Sequence, residues 1–146
     1  MGAGAAWVLS IGRQGSVNEA YFVRPSFRLE YLLSQARETR MNEAEFQRLA
    51  IATLNRIEQA VEACGADIEF ENAGEILELE FTNRSKIIIN KQAAAKQIWV
   101  AAKSGGFHYS YDAGTQQWRN DQNGTELFVE LSRLVSEQAG VSIQLV

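Results

Sequence analysis

The chain has 146 residues, 46% hydrophobic and 22% charged, and a net charge of −4. That composition suits one domain able to bury its own core, and the sign of the charge disfavours general nucleic-acid binding. The single cysteine, Cys64, excludes an intrachain disulfide and any zinc or iron–sulfur site held by this chain's cysteines alone.

No stretch is long and apolar enough to span a membrane. The modest net charge hides a segregation. Residues 41–80 carry ten acids against Arg48 and Arg56, whereas residues 1–40 and 81–146 each carry an excess of two bases. The acidity is local, and its locality makes it a candidate for function.

Residues 1–40 hold the only proline, Pro25, and show no sustained period. MGAGAAWVLSIG is apolar but lacks the leading basic region of a secretory signal. Ala6 stands where a myristoylation signal needs Ser or Thr. The arginine content of this segment faintly resembles that of a mitochondrial transit peptide, diluted by Glu19, Glu30 and Glu38. Residues 1–40 are therefore expected to be an N-terminal extension, disordered or contributed by an upstream start, and the domain to span 41–146.

A helix is expected from Asn42. Asn42 can cap it, Glu45 three residues on can complete a capping box, and Met41 and Phe46 take the staple positions. Phe46, Leu49, Leu54, Ile57, Val61 and Cys64 then form the apolar stripe, with Ala50 and Thr53 filling its wide gap, ending near Gly65. On that stripe Cys64 reads as a buried small hydrophobe rather than a nucleophile. Six strands follow. Asp67–Glu71 alternates with its carboxylates on one face. Beyond the turn at Asn72-Ala73-Gly74, Leu77, Leu79 and Phe81 alternate with Glu78 and Glu80.

In Ser85–Asn90, Ile87 and Ile89 face one way and Lys86, Ile88 and Asn90 the other. In Gln97–Ala101, Ile98 and Val100 oppose Gln97 and Trp99. Gly105-Gly106 marks a turn before Phe107, Tyr109 and Tyr111, and Gln116–Asn120 with Trp118 supplies the sixth strand. Asn123-Gly124-Thr125 precedes a second helix with Leu127, Phe128, Leu131, Leu134 and Val135 inward. Gly140 ends it, and Val141–Val146 is apolar enough to pack back between the helices. The order predicts an α+β two-layer sandwich, both helices on one face of an antiparallel sheet of about six strands.

Two features stand out chemically. Glu58 and Glu62 lie one turn apart on the first helix, which ends just before the strand projecting Asp67, Glu69 and Glu71. Helix edge and strand can join into a carboxylate ridge. Hard oxygen donors favour Mg, Ca, Mn and iron, and an exposed ridge without histidine would bind loosely, with water completing the shell. The residues alone leave open whether these acids bind or merely solvate the face. The second feature is Trp99, on the wetter sheet face beside Asn90. It is either an interface anchor or an indole covered by the stem of Lys86 or Lys91. His108, the lone histidine, reads as a surface or sheet-packing residue. A carboxylate hydrolase would need a cleft that desolvates one acid, and the sequence suggests none.

The strings SKIIINKQ, KQIWVAAKSGGFHY and the following Trp118 resemble the frataxin family in its bacterial branch, over roughly Met41 to Gly140. The resemblance implies the same helix–six strands–helix fold and a protein that is not an enzyme. It also implies weak surface binding of Fe2+ or Fe3+ at Glu58, Glu62, Asp67, Glu69 and Glu71, with no intrinsic iron–sulfur cluster. The implied partners are a cysteine desulfurase of the IscS type and a cluster scaffold of the IscU type. They would be met through Glu58, Glu62, Asp67, Glu69, Asn90 and Trp99, with no nucleic acid or membrane involved.

The expected role is that of an iron donor or regulator in iron–sulfur cluster assembly. An iron-oxidising, iron-storing protein that oligomerises with metal is the alternative. A cytoplasmic monomer is expected, or a mitochondrial protein should residues 1–40 be a transit peptide. Gln59, Ala63, Cys64 and the short uncharged Gly65-Ala66 loop depart from the family pattern, which lowers the expected number of bound ions.

Overall fold

The computed structural model describes residues 41–146, so the expectations for residues 1–40 lie outside the described residues. Helix α1 spans Glu43–Ala63. At its start the Glu45 N–H donates to Asn42 Oδ1 (2.8 Å), which forms half of the expected capping box. The Glu45 carboxylate turns forward to Arg48 instead (3.7 Å). The inward face comprises Phe46, Ala50, Leu54, Ile57, Ala60 and Val61. Two residues of the expected stripe sit higher on the helix. Leu49 and Cys64 are only half-buried: the stripe runs 46-50-54-57-61 at the 3.6-residue period and passes beside Leu49, and Cys64 lies past the last helical residue as the C-cap. Ala50 lets the helix approach the sheet closely. Cys64 caps α1, its N–H donating to the carbonyls of Ala60 and Val61 and its Sγ to Val61 O (3.0 Å).

Strands β1 (Ile68–Asn72), β2 (Ile76–Phe81), β3 (Lys86–Gln92), β4 (Gln97–Ala102), β5 (Gly105–Asp112) and β6 (Gln117–Asn120) form one antiparallel sheet in sequential order. Each strand pairs with its chain neighbours, as hairpin connections favour. Burial alternates as the sequence predicts: Leu77, Leu79, Phe81, Ile87, Ile89, Ile98, Val100, Tyr109 and Trp118 lie inside. Trp118 sits edge-on to Phe46 and donates its indole N–H to Thr53 Oγ1 (2.9 Å), which ties β6 to α1.

Helix α2 (Leu127–Ala139) covers the same face with Leu127, Phe128, Leu131, Leu134 and Val135. Its N-cap is Glu126, whose carboxylate accepts from Val129 N–H (3.1 Å), and it ends at Gly140 with φ 78°. The buried Gln138 braces its last turn, donating to Ser85 Oγ and the Lys86 carbonyl and accepting from Lys103 N–H. Three chain segments meet on this one side chain.

The tail returns as expected. Ile143 and Leu145 are buried, and their N–H groups donate to Ser136 Oγ (2.8 Å) and Ser132 Oγ (2.9 Å) of α2. Gln144 and Val146 border Arg56, Gln59 and Ala60 of α1, so the tail lies between the helices. The architecture is the α+β two-layer sandwich, with one sheet face covered by helices and the other solvated.

Candidate functional site: an acidic edge and a tryptophan on the open sheet face

On the solvated face, register sorts the side chains into rows. Glu69 opposes Glu80, which opposes Lys86. Glu71 opposes Glu78, which opposes Ile88 and then Ala101. Two Glu–Glu pairs therefore face each other across β1 and β2, in an arrangement that opposes folding. Cations answer on the β2 side only, with Arg84 on Glu80 (3.0 Å) and Lys86 on Glu78 (3.2 Å). Among the described residues, Glu69 and Glu71 have no such ion pair and both are exposed.

The five ridge residues occupy distinct places. Glu69 and Glu71 lie on the open face of β1, and Asp67 stands exposed just before it. Asp67, Glu69 and Glu80 border one shallow recess with Arg84, and Glu69, Glu71, Glu78 and Glu80 border the next. Glu58 comes to β1 from the helix side, accepting a hydrogen bond from Asn72 Nδ2, while Glu62 is exposed one turn further on. The acids thus follow an edge and do not close into a cage. No three Asp, Glu, His or Cys among the described residues form a metal-holding group.

Carboxylate pairs across a strand ladder sit about 4.5–5.5 Å apart at Cβ, close enough to share a hydrated cation. The donor set fits loose binding of a hard ion that keeps most of its water. Sequence reading noted Glu78 and Glu80 but left them out of the ridge. The β1–β2 register brings them in, and a two-residue hairpin counted back from Gly74-Glu75 gives that register.

A second row crosses the middle of the open face: Ile76, Asn90, Trp99 and His108. Trp99 is half-buried there, stacked on exposed His108 with ring centroids 4.2 Å apart and planes at 12°. Its indole N–H donates to Gln97 Oε1 (2.8 Å), and Gln97 Nε2 is held in turn by Ser110 Oγ (3.2 Å) and by Asp121.

Neither lysine covers the indole. Lys86 turns to Glu78, and Lys91 points inward, buried, with Nζ on Gln47 Oε1 (3.0 Å) and near Glu75 (3.9 Å). The sequence put Asn90 and Trp99 side by side correctly. It did not foresee the fixed indole, because the Gln97–Ser110–Asp121 network joins residues far apart in the chain.

A family model of the frataxin-like domain matches residues 39–141. The iron-sulfur cluster assembly protein CyaY of Dechloromonas aromatica is 50% identical over 106 residues, 72% of this chain and 99% of that protein. The protein of the same name from Cupriavidus taiwanensis is 50% identical over 107 residues, 70% of this chain and 95% of that one. Among solved structures, frataxin from Psychromonas ingrahamii is 36% identical with a TM-score of 0.67, over 73% of this chain and 99% of that chain. Trimeric frataxin from the yeast Saccharomyces cerevisiae, complexed with ferrous iron, is 27% identical with a TM-score of 0.51, over 70% of this chain and 89% of that one. With fold, strand motifs and relatives in agreement, this chain belongs to the frataxin family.

Proposed function

We propose that the protein carries iron weakly on its acidic edge and acts in iron–sulfur cluster assembly as an iron donor or regulator. It docks on a cysteine desulfurase and its scaffold in the cytoplasm and catalyses no reaction of its own. The observation that carries this reading is the two opposed Glu–Glu couples across β1 and β2, exposed on β1 and half-buried on β2, continued by Asp67, Glu58 and Glu62 along one edge. Folding gains nothing from opposing like charges, so a use for the negative field explains them. The relatives named for cluster assembly support the process, and the ferrous complex of the yeast relative supports the cargo.

Iron is cargo in this reading. Glu69 with Glu80, and Glu71 with Glu78, supply hard oxygen donors in pairs, and water fills the rest of the shell. A basic surface on the desulfurase is drawn to the same field, and Trp99 with Asn90 offers a second contact to the scaffold from the open face. The test is the variant E58Q/E62Q/D67N/E69Q, which keeps shape while removing four charges. Ferrous titration and desulfurase binding are expected to weaken together, and wild-type association to weaken with salt as the Debye length falls from about 10 Å at 0.1 M to about 3 Å at 1 M. Unchanged affinity for both would leave the acids as a solvated face.

The trimeric yeast relative favours one second reading, metal-driven assembly for iron oxidation and storage. Size-exclusion chromatography with excess ferrous iron separates the two. A persistent monomer supports the donor or regulator, and large iron-loaded assemblies support storage.

A further inference from the structure

Strand β1 is the outer strand of the sheet, and among the described residues its far side pairs with nothing. Natural edges are usually blunted by proline, lysine, a bulge or a covering segment. Strand β1 has neither proline nor lysine, and its ladder with β2 runs unbroken over five residue pairs. Four of its five residues are exposed, including Phe70 at 38%.

The hydrogen-bond phase of the ladder fixes which backbone groups are free. The Ala73 N–H donates to Ile76 O (2.9 Å), which makes that couple a hydrogen-bonded pair. Counting back by twos, Glu71 with Glu78 and Glu69 with Glu80 are hydrogen-bonded pairs too. Phe70 and Asn72 then turn their N–H and C=O groups away from β2, towards the open side. The Phe81 N–H, which donates to Ser85 O just before β3 (2.9 Å), confirms the phase from the other strand. The Ile68 N–H is already taken by Ala66 O (3.0 Å), so among the described residues the free donors of this edge are those of Phe70 and Asn72.

We infer that this edge accepts an added β-strand from a partner protein, an extended segment alternating basic and apolar residues. A strand bonded to Phe70 and Asn72 places its intervening residues opposite Glu69 and Glu71 in non-hydrogen-bonded pairs, where side chains approach most closely. On the open face those residues meet carboxylates, so Lys or Arg fits. On the other face they meet Phe70 and Ile68, so apolar residues fit. A second copy of this chain is the wrong occupant, since its own Glu69 and Glu71 would be brought against the same charges. The open backbone supplies the docking, and the acids select what docks. This deepens the proposed docking of a basic partner and rests on that reading for the partner's charge.

The test uses the full chain and two synthetic peptides of equal composition, one alternating Lys and Val and one with the lysines and valines in separate blocks. Binding is followed by nuclear magnetic resonance and amide hydrogen exchange. The alternating peptide is expected to bind more tightly and to slow exchange at Phe70 and Asn72, leaving Glu69 and Glu71, already bonded to β2, unchanged. Phe70→Pro removes one free donor at a position where an edge strand tolerates proline. It is expected to weaken the alternating peptide by about fivefold or more beyond Phe70→Ala, which removes the side chain alone. Should Phe70→Pro fail to fold, the exchange pattern of the wild type still decides.

Equal affinity for the two peptides with no protection at Phe70 and Asn72 would overturn strand addition, and would leave intact an acidic surface that attracts cations. Protection of both amides before peptide is added would show the edge already occupied and would also overturn it. Peptide binding unaltered by E69Q/E71Q would remove the carboxylates as the selecting element. Failure of the function itself shows elsewhere, in unchanged iron and desulfurase binding by the four-charge variant.

Discussion

Two tryptophans on opposite faces of one sheet give the sharpest test of how fold and function are divided. Trp118 faces the helices at 4% exposure, packs edge-on against Phe46 and Tyr111, and bonds to Thr53. Its truncation to alanine opens a cavity in the core and should cost about 3–5 kcal/mol. Trp99 faces solvent, and what it loses is one aromatic stack on His108 and one part-buried hydrogen bond to Gln97. The stack contributes about 0.5–1.5 kcal/mol and the bond about 0.5–1.5 kcal/mol, so Trp99→Ala should cost roughly 1–3 kcal/mol.

Urea unfolding at constant m separates the two. Binding should rank them the other way. A central aromatic anchor typically contributes about 2 kcal/mol or more at an interface, roughly thirtyfold in affinity. Trp99→Ala should therefore lose most affinity for the desulfurase–scaffold assembly, while Trp118→Ala loses only what its smaller folded fraction explains. A stability loss above about 3 kcal/mol for Trp99→Ala would place the indole in the core and refute the face assignment. Unchanged partner binding would refute the contact.

Two further outcomes follow from buried polar groups. Gln138→Leu strips the brace that joins α2 to the turns at Ser85 and Lys103. It should lower stability by about 2–3 kcal/mol and speed amide exchange at Lys103, whereas wild-type protection at Lys103 in the variant would show the brace to be dispensable. Tyr109 is fully buried, its hydroxyl has no hydrogen-bond partner among the described residues, and burial, with the charge of Glu130 second, holds its pKa well above the ordinary value of 10. Above about pH 10 the unfolded chain releases this proton and the folded chain keeps it, so stability, complete below pH 10, should fall by at most about 1.4 kcal/mol per pH unit. Tyr109→Phe should flatten that fall in urea titrations between pH 9 and 11.5, and identical slopes for the two proteins would refute the account.

The faces of the sheet were legible because alternation is a local property. Ile87 and Ile89, Ile98 and Val100, and Leu77 and Leu79 each declare a buried side within a few residues. Lys91 was not legible. It continues the inward phase of Ile87 and Ile89, but a charged residue reads as the end of a strand, and its burial is made tolerable by the distant Gln47 and by the Glu75 carboxylate nearby. Gln138, Ser132 and Glu130 escaped for the same reason. They are polar residues at inward helix positions, and their partners lie in the β2–β3 turn, in the tail or on a neighbouring turn of α2. Leu49 yielded its place to Ala50 because hydrophobicity ranks leucine first, whereas the helix meets the sheet where the smaller residue permits. At the site the acids were legible as a composition and the cross-strand couples were not, since register is a relation between two strands.

That relation also explains how the edge keeps its field without unravelling the fold. The repulsion falls on β1, which contributes least to the core: Ile68 is half-buried, the rest of the strand is exposed, and β2 behind it is held inside by Leu77, Leu79 and Phe81. The β2 acids, closer to that core, are the ones given cations, Arg84 and Lys86. Exposed like-charge couples cost only a few tenths of a kcal/mol each, a small sum against a strand ladder anchored by three buried side chains. Moving the unpaired acids inward to β2 would set the same repulsion against packing, and moving the cations outward to β1 would quench the field at the exposed edge. The division of charge between the two strands is therefore the arrangement in which stability and attraction interfere least.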